Sequence, residues 1–288
     1  MQSRLEPVGL PELSSVDPVV QDQIRRKHQA LEQKIGAGAR GAELGAAYGE
    51  YGMLLHAAEF HEAAAPAYRN AQVLLPEDPR WPYYLALVYR SLGARQRAQE
   101  AFERVLALRP ADVAALVHLA RLYFDQGELD RAEGLLERAR DQAPKAVAVL
   151  AGLGQVALAR QQYTRAVSLL EEALSIDPTA ASIHSPLASA YRGLGDTARA
   201  EEHLKQWRNT EILVPDPLRL ELDLALESGL SYELRGVRAL ESGDYEAAEQ
   251  FFRRGVALTS GKTALGRSLR HKLGTALFLR GNVGAAIE

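Results

Sequence analysis

Four prolines, Pro76, Pro110, Pro144 and Pro178, stand 34 residues apart in a chain of 288. Other residue types recur in phase between them. Leu85, Leu119, Leu153 and Leu187 share one phase, and Ala98, Ala132, Ala166 and Ala200 share a second. Gly93, Gly127 and Gly195 share a third, with Gln161 in the remaining slot. A fixed period of this length, kept by several residue types at once, is the signature of a helical repeat array.

One unit shows the physics. In Val113–Pro144 the apolar residues Leu116, Leu119, Ala120 and Tyr123 follow the spacing of a single helical stripe. Asp125-Gln126-Gly127 interrupts it, Gly127 being free to take the positive φ that ends a helix. A second stripe follows in Leu129, Ala132, Leu135, Leu136 and Ala139, and Pro144 stops it because proline lacks the N–H that would continue the ladder. Small alanines let the two helices approach closely, where a bulky residue would force them apart. Each unit is then a helix hairpin with apolar surface on both flanks, which a neighbouring hairpin must cover.

The run Leu119-Ala120…Tyr123…Gly127…Ala132…Leu136…Ala139…Pro144 resembles a tetratricopeptide repeat (TPR). Leu153-Gly154…Ala166…Leu170…Ala173…Pro178 resembles it again, with Ala157 where tyrosine is usual. The resemblance extends from about residue 41 onward. It implies an all-α fold, a right-handed α-solenoid of stacked antiparallel helix hairpins, in which the first helix of each pair lines a concave groove.

A net charge of −3 and a pI near 6.2 lack the basic footprint of a nucleic-acid binder. No stretch approaches the ~18 apolar residues of a membrane span, so no membrane insertion is expected. Met1-Gln2-Ser3-Arg4-Leu5-Glu6-Pro7 lacks the apolar core of a secretory signal. The default compartment is therefore the cytoplasm, or the periplasm should the natural N-terminus lie further upstream. The absence of cysteine excludes disulfides, thiol catalysis and thiolate metal sites.

Along the chain, residues 1–41 read as an N-terminal extension with a capping helix. The helix opens at Asp17-Pro18, an N-cap followed by a first-turn proline, and carries Val20, Ile24, Leu31 and Ile35. The rival reading is a detachable segment that occupies the groove. Residues 42–210 hold five TPR-like repeats. The first, with Tyr48, Tyr51, Gly52, Leu55, Phe60, Ala64, Tyr68, Ala71 and Pro76, needs a one-residue slip near Glu59–Pro66, and Pro66 should bend or shorten its second helix. In the fifth, Trp207 falls in an alanine slot, so regular stacking should stop there. Residues 211–228 read as an irregular linker plus an extra helix over Leu218–Ser228. Two further repeats occupy 229–288; the last includes Ala286 and breaks off inside its second helix at Glu288, so the polypeptide reads as truncated. That incomplete unit would offer an apolar flank for self-association.

No catalytic constellation emerges. Ser260-Gly261-Lys262-Thr263 resembles the end of a phosphate-binding loop, but Val256 stands where the loop needs glycine. His56 and His61 are five residues apart, poor spacing for one helix face. Neither a catalytic residue, a metal site nor a cofactor is expected.

The groove is more informative. In the TPR family, positions 2, 5, 6, 9 and 12 of each first helix face it. By that correspondence the partner-binding residues are Tyr83, Tyr84, Leu87 and Arg90, then Val117, His118, Arg121 and Phe124, then Gln155 and Leu158, and Arg192. Some of these side chains could instead pack only within their own repeat. One subclass of the family grips a C-terminal carboxylate through lysine and asparagine at positions 5 and 9. Here Tyr83 and Leu87, then Val117 and Arg121, leave that clamp out. Arginines beside apolar surface suit a protein or peptide partner that is both acidic and hydrophobic. The expectation is an interaction scaffold binding a partner peptide or helix; the alternative is a regulatory or substrate-recruiting portion of a larger enzyme.

Overall fold

The computed structural model describes residues 5–14, 16–210, 212, 214, 216–282 and 284. Among them are fifteen α-helices and no strand. In chain order these are α1 (Pro18–Gly36), α2 (Gly41–Ala57), α3 (His61–Leu74), α4 (Arg80–Ser91), α5 (Arg95–Leu108), α6 (Val113–Phe124), α7 (Leu129–Gln142) and α8 (Val147–Ala159). They continue with α9 (Tyr163–Ile176), α10 (His184–Gly193), α11 (Thr197–Gln206), α12 (Pro217–Asp223), α13 (Gly229–Glu241), α14 (Tyr245–Leu258) and α15 (Ala264–Leu279). The chain forms two compact units, Glu77–Asp216 and Met1–Pro76 with Pro217–Glu288.

Glu77–Asp216 is a stack of helix hairpins, the α-solenoid architecture. Helices pair as α4 with α5, α6 with α7, α8 with α9 and α10 with α11, and each second helix packs on the next first helix. The recurring alanines sit at the closest approach: Ala98, Ala132 and Ala166 are 0% exposed and Ala200 2%. Asp112 caps α6 by accepting from the Ala115 N–H at 3.0 Å, satisfying one of the donors that a helix start leaves open.

The turn inside each hairpin needs one left-handed residue. Gly93, Gly127 and Gly195 supply it with φ of 70°, 78° and 81°, but so do Gln161 at 59° and Glu59 at 65°. Glu59 lies 34 residues before Gly93, so the first repeat keeps the period and needs no slip. The backbone conformation is held at that slot even where a side chain makes it cost about 1–2 kcal/mol.

In the other unit, Asp17 accepts from the Val19 N–H at 2.9 Å with Pro18 opening α1, the cap expected from the sequence. Helix α1 packs on α2 and buries Val20, Ile24 and Leu31. Gln23 joins it to the stretch after α12, donating to the Ala225 carbonyl and accepting from the Glu227 N–H, both at 2.8 Å. Among the described residues before α1, Glu6 and Asn70 exchange two hydrogen bonds at 2.8 Å, and Leu13 is 3% exposed. Pro66 does not shorten α3, which has the same 14 residues as α5, α7 and α9. The carbonyl it deprives of a partner belongs to Glu62, an exposed residue that water can reach.

Helix α12 is only seven residues long, shorter than the helix expected over Leu218–Ser228. Side chains of α13 cap its end, Ser231 Oγ donating to the Asp223 carbonyl at 2.6 Å and Arg235 to the Leu224 carbonyl at 2.5 Å. Beyond it, Ala239, Ala248, Phe252, Leu269 and Ala276 form the core of α13, α14 and α15. The expected residues Ala286 and Glu288 lie outside the described residues.

Candidate functional site

In Glu77–Asp216 the first helices α4, α6, α8 and α10 present one face, and the chain itself lies against it. Helix α11 ends at Gln206, and Trp207 is 44% exposed instead of wedged between helices. From there to Asp216 the described residues are not helical. The Ser182 N–H donates to Thr210 Oγ1 at 3.0 Å, which fixes the start of this segment beside α10. Ile212 lines a pocket built by Val117, Ala120, Arg121 and Phe124 of α6, Leu136 of α7, and Ala148, Ala151, Gly152, Gln155 and Val156 of α8. Asp216 reaches α4 and α6.

The surroundings of Asp216 are the most constructed part of the face. Its side chain is 7% exposed, and a buried carboxylate is costly unless donors meet it. The Tyr83 hydroxyl donates to Asp216 Oδ2. His118 Nε2 lies 4.0 Å from the same oxygen. Behind the ring, Arg90 Nη1 stands 2.7 Å from His118 Nδ1. A guanidinium can only donate, so Nδ1 accepts and the neutral ring carries its proton on Nε2, on the side of Asp216. Burial, and then the charge of Asp216, push the Tyr83 phenol far above its ordinary range, so it stays a donor.

The residues chosen from the sequence fall into three groups. Tyr83, Arg90 and His118 gather around Asp216. Val117, Arg121, Phe124 and Gln155 line the Ile212 pocket. Tyr84 and Leu87 are buried at 0% and 3%, while Leu158 is half-buried, Arg192 is exposed, and neither lines the pocket. Sequence reasoning missed Ile212 and Asp216 themselves, and the small residues Ala148, Ala151 and Gly152 that line the same pocket as Ile212.

Elsewhere, Thr263 caps α15 by accepting from the Gly266 N–H at 3.0 Å, so the Ser260–Thr263 turn starts a helix. His56 and His61 do approach, with ring centroids 5.4 Å apart, because the Glu59 turn brings them together. Among the described residues no group of three His, Cys, Asp or Glu side chains could hold a metal ion, and no helix is long and apolar enough to cross a membrane.

A stack of antiparallel hairpins with a 34-residue period defines the class, a helical-repeat protein. The tetratricopeptide repeat family model matches residues 89–156 and 157–211, and over that stretch the chain is a TPR-family protein. A tetratricopeptide repeat protein from Parabacteroides merdae superposes with a TM-score of 0.55 at 16% identity, covering 89% of this chain and 100% of that one. YrrB, described as a TPR protein with an unusual peptide-binding site, gives 0.53 at 19%, covering 62% and 90%. The MamA protein gives 0.52 at 21%, covering 56% and 88%. At these identities the likeness is one of fold. The chain also spans about a third of the curated relatives it matches: it is 42% identical over 57 residues to phosphopantetheine adenylyltransferases of Streptococcus agalactiae, 20% of this chain and 35% of theirs.

Proposed function

We propose that this chain is a non-catalytic interaction scaffold, and that the first-helix face of Glu77–Asp216 binds an extended segment of a partner protein that is both acidic and apolar. One observation carries the reading: polypeptide outside the helices, the chain's own, already meets that face, Ile212 bordering a pocket lined by α6 and α8 and the buried Asp216 carboxylate accepting from the Tyr83 hydroxyl. Small residues on α8 leave a recess, and the Tyr83, His118 and Arg90 side chains project from helices held in the stack. Arg121, exposed at the rim of the recess, supplies a fixed positive charge and a planar fork suited to carboxylates.

The test is a random-peptide library displayed at high valency, so that avidity registers weak ligands. Panning on the intact chain should return peptides rich in carboxylates and large apolar side chains. Arg121→Glu should weaken those peptides more than tenfold, about 1.4 kcal/mol, with the denaturation midpoint unchanged because the side chain is exposed. A library that returns nothing, or peptides that bind parent and variant alike, would remove the first-helix face as the site.

A further inference from the structure

We propose a second docking surface in Glu77–Asp216: a cleft between α5 and α7 that receives an apolar helix of a partner protein, with one carboxylate of that helix set against Arg138. The cleft shares no lining residue with the pocket and the Asp216 contacts of the first-helix face, so the two surfaces are independent.

Both helices pack on α6. Leu106 of α5, Leu119 and Tyr123 of α6 and Leu135 of α7 supply the apolar lining of a cleft of about 550 Å³ that is open to solvent. Small-molecule sites enclose most of their ligand, which an open cleft does not. A helix laid in a groove buries only one face. Charge fixes what that helix carries. At one end, the Tyr123 hydroxyl donates to Glu103 Oε1 at 2.7 Å, while Arg131 lies 4.3 Å from the centre of the Tyr123 ring and pairs with Glu128 at 3.0 Å. That end has its charges paired within the chain. Arg138 stands about two turns further along the same face of α7. It is exposed, donates to the Pro110 carbonyl at 2.9 Å and ion-pairs with no carboxylate among the described residues. A guanidinium so placed keeps donors to spare and can hold a carboxylate through two parallel bonds.

Gly134 marks where the partner comes closest. Glycine inside a helix destabilises it, and one use of the residue is to let another molecule approach the backbone. Within the chain Gly134 has nothing to approach: it lines the cleft, takes no positive φ, and a Cβ added to it would meet no atom within 4 Å. The residues in the same phase of the neighbouring repeats are Glu100, Ser168 and Glu202. The contrast extends to the rest of the lining. One repeat further on, the positions of Leu106, Ala107, Gly134 and Arg138 carry Arg140, Asp141, Ser168 and Glu172. There Arg165 of α9 also crosses to Glu133 and Glu137 of α7, at 2.5 and 3.0 Å. Stacking is served equally well by that polar surface. The bare, apolar strip beside Arg138 is therefore extra to what the repeat needs.

The experiment pans a displayed library of single amphipathic helices, one face randomised, on the full chain. Enriched clones should carry large aliphatic side chains and an Asp or Glu at one edge of the face. The best clone, made as a fluorescein-labelled peptide and followed by anisotropy, should bind at least tenfold more weakly to Gly134→Gln and to Arg138→Glu. Arg121→Glu, on the first-helix face, should leave its affinity unchanged. Replacing the peptide's carboxylate by lysine should restore binding to Arg138→Glu, which pairs the two positions directly. Both substituted residues are exposed, and circular dichroism checks that the variants are folded; were Arg138→Glu unfolded, Arg138→Gln should still lose several-fold. A library that returns no helix, or clones that bind parent and both cleft variants alike, overturns the surface. Clones weakened only by Arg121→Glu overturn it too, while supporting the first-helix face. Loss with Gly134→Gln but not with Arg138→Glu overturns the carboxylate contact.

Discussion

Stability of this chain should fall as the pH is lowered from about 6.5 to 5, and His56→Asn should remove much of that slope. His56 lies on α2 at 6% exposure, with Nδ1 3.4 Å from the Tyr68 hydroxyl. Burial, then the nearby charges of His61 and Arg219, push its pKa down to about 3. The folded chain therefore keeps this ring neutral where an unfolded chain binds a proton at about 6.5. A depressed histidine contributes stability that is fully present above the unfolded pKa and is lost as pH falls towards the folded one. The upper bound is about 1.4 kcal/mol per pH unit, or about 2 kcal/mol over that window. Carboxylates held low by partners, such as Glu6 beside Arg69 and Glu233 beside Lys272, start from an ordinary glutamate value of 4.5 and act below the window. His184 is lowered too, by burial and then by His203, so the variant keeps a residual slope. The check is a series of urea denaturations across the window. Equal slopes in parent and variant would show that the ring takes up its proton in the folded chain.

The period made the fold legible because it records a backbone requirement as well as residue identity. Gln161 and Glu59 break the glycine rule yet adopt the same positive φ, so reading the phase is safer than reading the residue. Half of the face was reached through the family resemblance. Tyr83, Val117, His118 and Arg121 stand at positions that the TPR correspondence assigns to the first-helix face, and the period alone does not single them out. Ile212 and Asp216 were not legible. They lie in a stretch with no periodicity, and the Tyr83–Asp216 hydrogen bond spans 133 residues of sequence that no local pattern encodes. One signal was available. Ala151 and Gly152 stand where the two preceding repeats place Val117 and His118, then Tyr83 and Tyr84, so the face is less filled at α8 than at α4 or α6. The period also says nothing of where the chain beyond Asp216 goes, and Pro217–Glu288 joins Met1–Pro76 in one compact unit.

Ala132→Trp should lower the unfolding free energy of Glu77–Asp216 by about 1–3 kcal/mol or more. Ala132 lies on α7, in the recurring alanine slot, and is 0% exposed. The slot is small because α6 and α7 pack directly on each other there, and dense interiors do not yield a tryptophan's volume without moving a helix. The natural tryptophan one slot further along the fifth repeat makes the contrast. Trp207 is tolerated because α11 has already ended at Gln206 and the ring is 44% exposed. Gly134 supplies a control in the same helix, since a Cβ added there meets nothing within 4 Å. Gly134→Ala should accordingly raise stability by roughly 0.5–1 kcal/mol through backbone entropy alone. Two substitutions two residues apart should thus move the urea midpoint in opposite directions, the loss at Ala132 exceeding the few tenths of a kcal/mol that helix propensity alone assigns to tryptophan. Because each hairpin is stabilised by its neighbours, the loss at Ala132 should also speed amide exchange in the flanking helices α5 and α8. An unchanged midpoint for Ala132→Trp would mean that α6 and α7 do not meet at this alanine.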